Sequence, residues 1–202
     1  GPYGEKDNAV DLLTTAHFGH IALYFGDLEK AKKAGDFLCD TLSQQPDKEK
    51  IFLRFNNAGE IIQDFAHESD FLFVIDSKKP QRAYFMIGYP AAFLGLLYRA
   101  TQSSKYLHAA KAYLDFALKC QPNLYHFHFS HKVAWAAAIV YSLTHDKPYL
   151  ELSQKITNYL INTQNKDGTW LSDEPIFIKM DQTAETAIWL KEISNELRRI
   201  LK

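Results

Sequence analysis

Apolar residues recur along the chain with two different periods, and each period predicts a different kind of element. Most segments have helical spacing, with apolar positions three and four residues apart, and short Gly-, Pro- or Asp-containing stretches separate them. Residues 51–76 instead read IFLRF, EIIQDF and FLFVI, with an Asn-Asn-Ala-Gly turn at 56–59. The pattern predicts an all-α fold of about seven helices with a small inserted β-hairpin at 51–76.

The predicted helices alternate in character along the chain. A helix that is apolar on every side is buried, whereas one with a charged face lies at the surface, so we expect inner and outer layers. The segment 124–129 alternates like a strand, and Ser130 and Asp181 are placed to cap the helices that follow them. The inner helices are predicted at 8–25, 83–100 and 131–143, the outer ones at 28–42, at 105–120 and from Asp146, and the last helix at 182–201.

The helices also form a sequence repeat. The segment LLYRATQSSKYLHAAKAYLDFALKCQP from Leu96 aligns without a gap with IVYSLTHDKPYLELSQKITNYLINTQN from Ile139. The period is the 43 residues that separate Gln121 from Gln164, and a weaker copy begins at Ala22. A fixed period of this size is typical of a repeated supersecondary unit. We therefore predict one helical hairpin used several times.

One helix end, Lys155–Trp170 with the sequence KITNYLINTQNKDGTW, has a specific pattern. Glycine adopts positive φ without steric cost, so Asp167-Gly168 predicts a turn, and the Gln164 amide is placed to tie the helix end to that turn. The order aromatic, aliphatic, three residues, Gln, a short gap and Gly-x-Trp resembles the QW motif of terpenoid-cyclase-like α/α toroids. The resemblance implies an α/α toroid-like array of antiparallel helical hairpins. The chain also has a general likeness to N-acylglucosamine epimerase-type toroids, in which inner-helix histidines transfer protons on a sugar.

Length, charge and cysteine content limit the possible partners. The 202 residues suffice for one domain or for the C-terminal part of a larger toroid. A formal net charge of −1 gives no electrostatic reason to expect nucleic acid or a membrane as partner. No apolar run reaches the ~18 residues of a membrane span, and the start of the chain lacks a signal-peptide pattern. Cys39 and Cys120 are too few for a disulfide framework, so we expect free thiols and a cytoplasmic location.

Two histidines give the clearest indication of chemistry. His17 and His20 are three residues apart on a helix that is otherwise almost wholly apolar, so they lie one turn apart. Such a pair could share acid and base work near neutral pH, or the two could be hydrogen-bonded packing residues. The carboxylates Glu68 and Asp181 could act with them, although caps and loops use carboxylates too. The predicted catalytic residues are therefore His17, His20, Glu68 and Asp181.

Aromatic rings and a second histidine cluster predict a substrate-binding surface. Rings on inner helices can stack a sugar or stabilise a cation, and they can also simply fill a core. Three imidazoles can ligate zinc, but no Cys or carboxylate lies close to them in the sequence, so no metal site is predicted. The predicted substrate-binding residues are Tyr84, Tyr89, His126, His128, His131 and Trp135.

Missing motifs narrow the function further. The chain has no Asp-x-Asp-Asp acid of the protonating triterpene cyclases, no Asp-rich diphosphate site and no Walker or Rossmann glycine pattern. We therefore expect a small-molecule substrate and no cofactor. The favoured function is a cofactor-independent isomerase or cyclase acting on a small cyclic or polyene substrate, namely a terpenoid, polyketide or sugar. A carbohydrate lyase or hydrolase, or a non-catalytic helical-repeat binding module, is the alternative.

The number of helices also predicts an open edge. Seven helices do not close a ring of six hairpins, and an exposed apolar edge is a liability. We expect a homodimer, a missing N-terminal segment or the last helix to cover that edge.

Overall fold

The computed structural model describes residues 10–65 and 70–199, and helices dominate this part of the chain. It confirms the predicted all-α fold of antiparallel helical hairpins with a small β insert. The helices are α1 (Leu12–Tyr24), α2 (Leu28–Ser43), α3 (Asp70–Phe73), α4 (Phe85–Thr101), α5 (Ser104–Ala117), α6 (His131–Thr144), α7 (Lys147–Asn162) and α8 (Ile176–Arg198). The strands are β1 (Val10–Asp11), β2 (Lys50–Phe52), β3 (Arg54–Phe55) and β4 (Val74–Asp76).

The hairpins form two layers. Helices α1, α4, α6 and α8 follow one another in the inner layer, and α2, α5 and α7 return on the outside. The expectation that the apolar helix predicted at 8–25 is buried was wrong, because α1 is the edge of the inner layer. Phe18, Ile21 and Tyr24 on α1 are exposed, as is Phe25 directly after it. Helix α8 forms the other edge and exposes Phe177, among other apolar residues. None of the helices in the described ranges is long and apolar enough to cross a membrane.

The sequence repeat reappears as repeated hydrogen bonds. The hydroxyl of Tyr106 on α5 donates to Asp36 on α2, and the hydroxyl of Tyr149 on α7 donates to Asp115 on α5, both at 2.8 Å. Helices α5 and α7 are therefore each tied to the preceding outer helix by the same kind of bond.

The insert keeps the predicted strand pair and changes the rest. Strands β2 and β4 pair antiparallel, with Ile51 opposite Ile75. Strand β3 pairs with β1, the segment directly before α1. An isolated bridge joins Phe55 to Ile61, and the short helix α3 comes directly before β4. The insert is therefore fastened to the start of the first inner helix.

Two predicted boundaries near the functional residues were wrong. Residues 124–129 are not a strand: two 3-10 turns, Pro122–His126 and His128–Ser130, occupy this stretch, and proline favours the first turn of a helical segment. Helix α8 begins six residues before the predicted start, directly after Pro175, so Asp181 lies inside the helix and does not cap it. Ser130 does not cap α6 through its side chain either.

The QW-like stretch anchors the start of α8. The Trp170 side chain is buried, and its indole N–H donates to the Leu160 carbonyl at 2.8 Å, so it packs against its own hairpin. The Gln164 amide donates to the Gly168 carbonyl at 2.8 Å and closes the turn. The backbone N–H of Trp170 donates to the Thr183 hydroxyl at 3.2 Å, which joins this anchor to α8.

Candidate functional site

Side chains from all four inner helices meet in one aromatic and histidine cluster. His17 on α1 lies edge-on to Tyr89 on α4, with 4.1 Å between ring centroids. His20, one turn later, lies 5.7 Å from the Trp135 ring on α6. Trp189 on α8 completes the group, 4.4 Å from Trp135 and 5.9 Å from Tyr89. We call these five residues the inner-face cluster.

A buried ion pair borders this cluster. Lys132 on α6 places Nζ 2.5 Å from Oε1 of Glu185 on α8, and the two side chains are 6% and 26% exposed. The rings of Phe85, Tyr89 and Phe129 surround the ammonium, with centroids 5.5 to 5.9 Å away. We call Lys132 and Glu185 the charge pair. Burying two charges is expensive, and a strongly perturbed pair in a cleft is more often found at functional sites.

Local backbone geometry explains why the charge pair is so deep. A Cβ atom at Gly88 of α4 would lie 2.5 Å from the backbone carbonyl carbon of Lys132, so only glycine lets α4 and α6 approach this closely. Lys132 also lies in the first turn of α6, where the helix dipole disfavours a cation. Glu185 therefore stabilises the ammonium at this position, although burial and the helix dipole both disfavour a positive charge there.

His131 presents an unpaired nitrogen to the charge pair. Its Nδ1 lies 2.8 Å from the His128 carbonyl oxygen, and a carbonyl only accepts, so Nδ1 carries the hydrogen. The other ring nitrogen, Nε2, is buried without a hydrogen-bond partner and lies 3.6 Å from Oε1 of Glu185. When His131 is neutral, two acceptors therefore face each other with no proton between them.

Burial keeps the histidines of this region neutral. It is the main reason that the pKa values of His17 and His20 are lowered, and His20 lowers the pKa of His17 further. Burial also lowers the pKa of His128 to about 4, with smaller effects from His131 and Lys132. The pKa of His131 is lowered by burial too, although Glu185 opposes the shift. At neutral pH these imidazoles can accept protons.

The charge pair has opposing electrostatic influences. Burial lowers the pKa of Lys132 although Glu185 acts to raise it. Burial alone would raise the pKa of Glu185, but His131 and Lys132 hold it well below its usual range. Glu185 is therefore a carboxylate at neutral pH, and Lys132 is a lysine from which a proton is more easily removed than usual.

Five of the predicted site residues lie in this region. His17, His20, Tyr89 and Trp135 belong to the inner-face cluster, and His131 borders the charge pair. His128 lies behind it, with Nε2 3.1 Å from the Thr186 hydroxyl.

The remaining predicted residues lie apart from the cluster. The Tyr84 hydroxyl donates to Asn123 at 2.9 Å, which makes it a buried structural anchor at the start of α4. His126 is exposed and contacts Tyr159 on α7, because the 3-10 turns replace the predicted strand that would have aligned it with His128. Asp181 is exposed on α8. Glu68 lies outside the described residues.

The predicted site did not include Lys132, Glu185 or Trp189. Glu185 and Trp189 are four residues apart on α8, and the indole N–H of Trp189 donates to Glu185 at 3.3 Å. That spacing is readable in the sequence, but a predicted start at 182 placed Glu185 in the first turn beside the expected cap. With α8 beginning at Ile176, Glu185 and Trp189 both face the other inner helices.

A second buried ion pair lies near the other end of the inner helices. Arg99 on α4 donates to both carboxylate oxygens of Glu196 on α8, at 3.1 and 2.6 Å. The same guanidinium donates to the Ser142 hydroxyl on α6 at 3.0 Å, and that hydroxyl donates to the Ile139 carbonyl at 2.7 Å. We call Arg99, Ser142 and Glu196 the clamp. An open groove of about 290 Å³ runs beside it and is lined by His20, Leu23, Tyr24, Leu96, Arg99 and Ala100.

Comparison of the chain with protein-family models, curated proteins and solved structures gave no match. Within residues 10–65 and 70–199, no three His, Cys, Asp or Glu side chains are grouped to hold a metal ion. The geometry of the inner-face cluster and the charge pair is therefore the basis for assigning a function.

Proposed function

We propose that the protein is a cofactor-independent isomerase or cyclase that moves a proton on a small cyclic or polyene substrate bound at the inner-face cluster. One observation carries the proposal: titratable side chains and aromatic rings from four separate helices converge beside a buried charge pair. Such convergence of perturbed groups with apolar rings is the usual composition of a small-molecule site.

Each part of the site has a role in this reaction. The rings of Tyr89, Trp135 and Trp189 offer flat apolar surfaces for a planar or cyclic substrate. His17 is neutral at physiological pH and is the base that removes a proton, while Lys132 supplies the positive charge that stabilises negative charge developing on the substrate. Proton removal at one position and return at another completes an isomerisation or starts a cyclisation.

The alternatives have less support. Glycoside hydrolysis uses a pair of carboxylates. Glu185 contacts the cluster through Trp189, whereas both oxygens of Asp11, which also lies near His17, accept hydrogen bonds from Thr14 at the start of α1. A binding module without chemistry would gain nothing from burying Lys132 or from leaving Nε2 of His131 unpaired.

The proposal is tested by a ligand screen followed by proton exchange. Terpenoid, polyketide and sugar compounds that raise the melting temperature are incubated with the protein in D₂O, and deuterium incorporation is followed by ¹H NMR. We expect His17→Gln to lower the exchange rate by ~10²–10⁴-fold while circular dichroism stays native, and His20→Gln is measured beside it. His108→Gln, at an exposed position on α5, is the matched control and should keep the full rate.

Two results would count against the proposal. Full exchange in both His17→Gln and His20→Gln would remove the catalytic role of these histidines. Ligands that bind without any exchange would favour the binding module.

A further inference from the structure

The charge pair and His131 together form an arrangement that suits covalent chemistry. We propose that the amine of Lys132 attacks the carbonyl carbon of an aldehyde or ketone substrate and forms a Schiff base, with Glu185 and Nε2 of His131 taking up the ammonium proton. The inference deepens the proposed function by naming the substrate class, and it rests on the same site.

The surroundings of Lys132 are those of a nucleophilic lysine. An amine attacks a carbonyl only in its neutral form, and enzymes obtain that form by removing the lysine from water. The Lys132 side chain is 6% exposed, lies at the start of a helix and has three aromatic rings around its Nζ. Phe85, Tyr89 and Phe129 are only partly buried, and in the proposal a small planar carbonyl compound reaches Nζ between these rings.

The proton of the ammonium has a defined route. Oε1 of Glu185 is shared by Nζ of Lys132 at 2.5 Å and the indole N–H of Trp189 at 3.3 Å, and Nε2 of His131 lies 3.6 Å away. The hydrogen bond to the His128 carbonyl fixes the hydrogen on Nδ1, so Nε2 is the vacant acceptor at the end of this route. Burial lowers the pKa of Lys132, which makes its proton easier to remove. The pKa of Glu185 is held well below its usual range, so Glu185 passes the proton on to His131 and does not keep it.

The chemical steps balance without any further reactant. After the proton passes through Glu185 to His131, the amine lone pair forms a C–N bond and the carbonyl π electrons move to oxygen. A proton shift from nitrogen to oxygen gives a neutral carbinolamine. His131 then returns its proton to the hydroxyl, the C–O bond breaks, water leaves and a protonated imine remains. The sum is one ammonium plus one carbonyl compound giving one iminium ion plus water.

The Schiff base gives His17 of the inner-face cluster a defined role. An iminium ion acidifies the C–H bonds on the adjacent carbon, and removal of one of these protons gives an enamine. His17 contacts the Tyr89 ring, and Nζ of Lys132 lies 5.9 Å from the centre of the same ring. His17 and Lys132 therefore share Tyr89 as a neighbour, and in the proposed reaction His17 removes that proton and returns it, which isomerises the substrate before hydrolysis releases it.

Reductive trapping tests the inference without knowledge of the natural substrate. The protein is incubated with benzaldehyde and sodium cyanoborohydride at pH 7, and benzylated lysines are mapped by peptide mass spectrometry. We expect Lys132 to be labelled at least ~10-fold faster than Lys147 and Lys166, which are exposed and serve as internal controls. Labelling of Lys132 that is absent, or no faster than that of the exposed lysines, would overturn the proposal.

Two variants test the parts of the mechanism. Lys132→Arg keeps a cation beside Glu185 but cannot form an imine, so peptide 132 should remain unlabelled while Lys147 reacts as before. His131→Gln removes the vacant acceptor and should slow labelling of Lys132 by ~10-fold, again with Lys147 unchanged. Unchanged labelling of Lys132 in His131→Gln would overturn the role of His131. The comparison among lysines within the wild-type protein remains decisive if a variant fails to fold.

Benzaldehyde labelling and proton exchange, measured on the same variant, separate this inference from the proposed function. His17→Gln should lose proton exchange and keep labelling of Lys132, because His17 acts only after the imine has formed. Fast labelling together with full exchange in His17→Gln would support the Schiff base and reject His17 as the base. If Lys132 is not labelled but proton exchange still depends on His17, His17 is supported as the base and the Schiff base is rejected.

Discussion

Two buried ion pairs join α8 to the inner helices, and they are built in opposite ways. In the clamp, the Arg99 guanidinium meets both oxygens of Glu196 and also the Ser142 hydroxyl. In the charge pair, Lys132 meets one oxygen of Glu185, and aromatic rings surround the rest of the ammonium. The pairs lie 11 residues apart on α8, which is about 16 Å along a helix.

The difference separates a structural ion pair from a functional one. Bidentate Arg–carboxylate bonds with every polar atom satisfied are a stable way to bury charge. The charge pair leaves Nε2 of His131 unpaired beside it, which costs stability and keeps a proton acceptor vacant. We therefore expect changes in the clamp to lower stability, and changes in the charge pair to lower activity.

Trp170 supports both pairs at once, since it fixes the start of α8, and its removal should have the largest effect. Trp170→Ala deletes a buried ring and should lower the free energy of unfolding by ~3–5 kcal/mol in urea titration. Trp170→Phe keeps most of the ring but loses the hydrogen bond to Leu160, so a smaller loss of about 1 kcal/mol is expected from that bond. A loss under about 1 kcal/mol for Trp170→Ala would show that the anchor is not needed.

The clamp should give the next largest effect. Glu196→Gln removes the negative charge and leaves Arg99 without its ion-pair partner, so unfolding should require about 2–3 kcal/mol less. This loss is at or below the low end of the range expected when one partner of a buried ion pair is removed, because the Arg99 side chain is 29% exposed. Glu192→Gln on the same helix is the control and should change stability by less than ~0.5 kcal/mol. If the two variants were equally stable, the clamp would not be a structural element.

The fold could be predicted from the sequence because it repeats local signals. The 43-residue repeat gave the inner and outer helices, and the equivalent residues Tyr106 and Tyr149 make equivalent bonds. The turn at Gly168 and the anchor at Trp170 were readable for the same reason, since neighbouring residues determine them.

The candidate site was only partly predictable because it depends on helix register and packing. His17 and His20 stood out as polar residues on an apolar helix, whereas Glu185 resembled an ordinary first-turn carboxylate until α8 was found to begin at Ile176. His126 and His128 were expected on one side of a strand, and the 3-10 turns place them in different surroundings. No periodicity in the sequence reports such a register.

Acid should weaken the region around the charge pair. The folded-state pKa of His128 is lowered to about 4, so below pH 6.5 the unfolded chain binds more protons than the folded one, and stability falls as the pH falls. Between pH 7 and 5 this residue should account for a loss of roughly 1–2 kcal/mol, measured by urea unfolding at each pH. His128→Asn should make the profile less steep, while the lowered pKa values of His17, His20 and His131 maintain the remaining slope. A flat wild-type profile between pH 7 and 5 would contradict the buried neutral state of His128.

Double variants that replace both members of an ion pair compare the charge pair and the clamp most directly. The smallest change in stability is expected for the double variant of the charge pair. Lys132→Met with Glu185→Gln removes both charges together and keeps an acceptor for the Trp189 indole, so stability should stay within ~1 kcal/mol of the wild type. Arg99→Met with Glu196→Gln should cost about 2–3 kcal/mol, because that pair also holds Ser142 and makes a two-pronged hydrogen bond between guanidinium and carboxylate. The first double variant should lose both benzaldehyde labelling at position 132 and proton exchange, whereas the second should keep both for as long as it is folded. If the two double variants lost stability equally, the charge pair would be a second clamp, and its single-oxygen contact and unpaired neighbour would need no functional explanation.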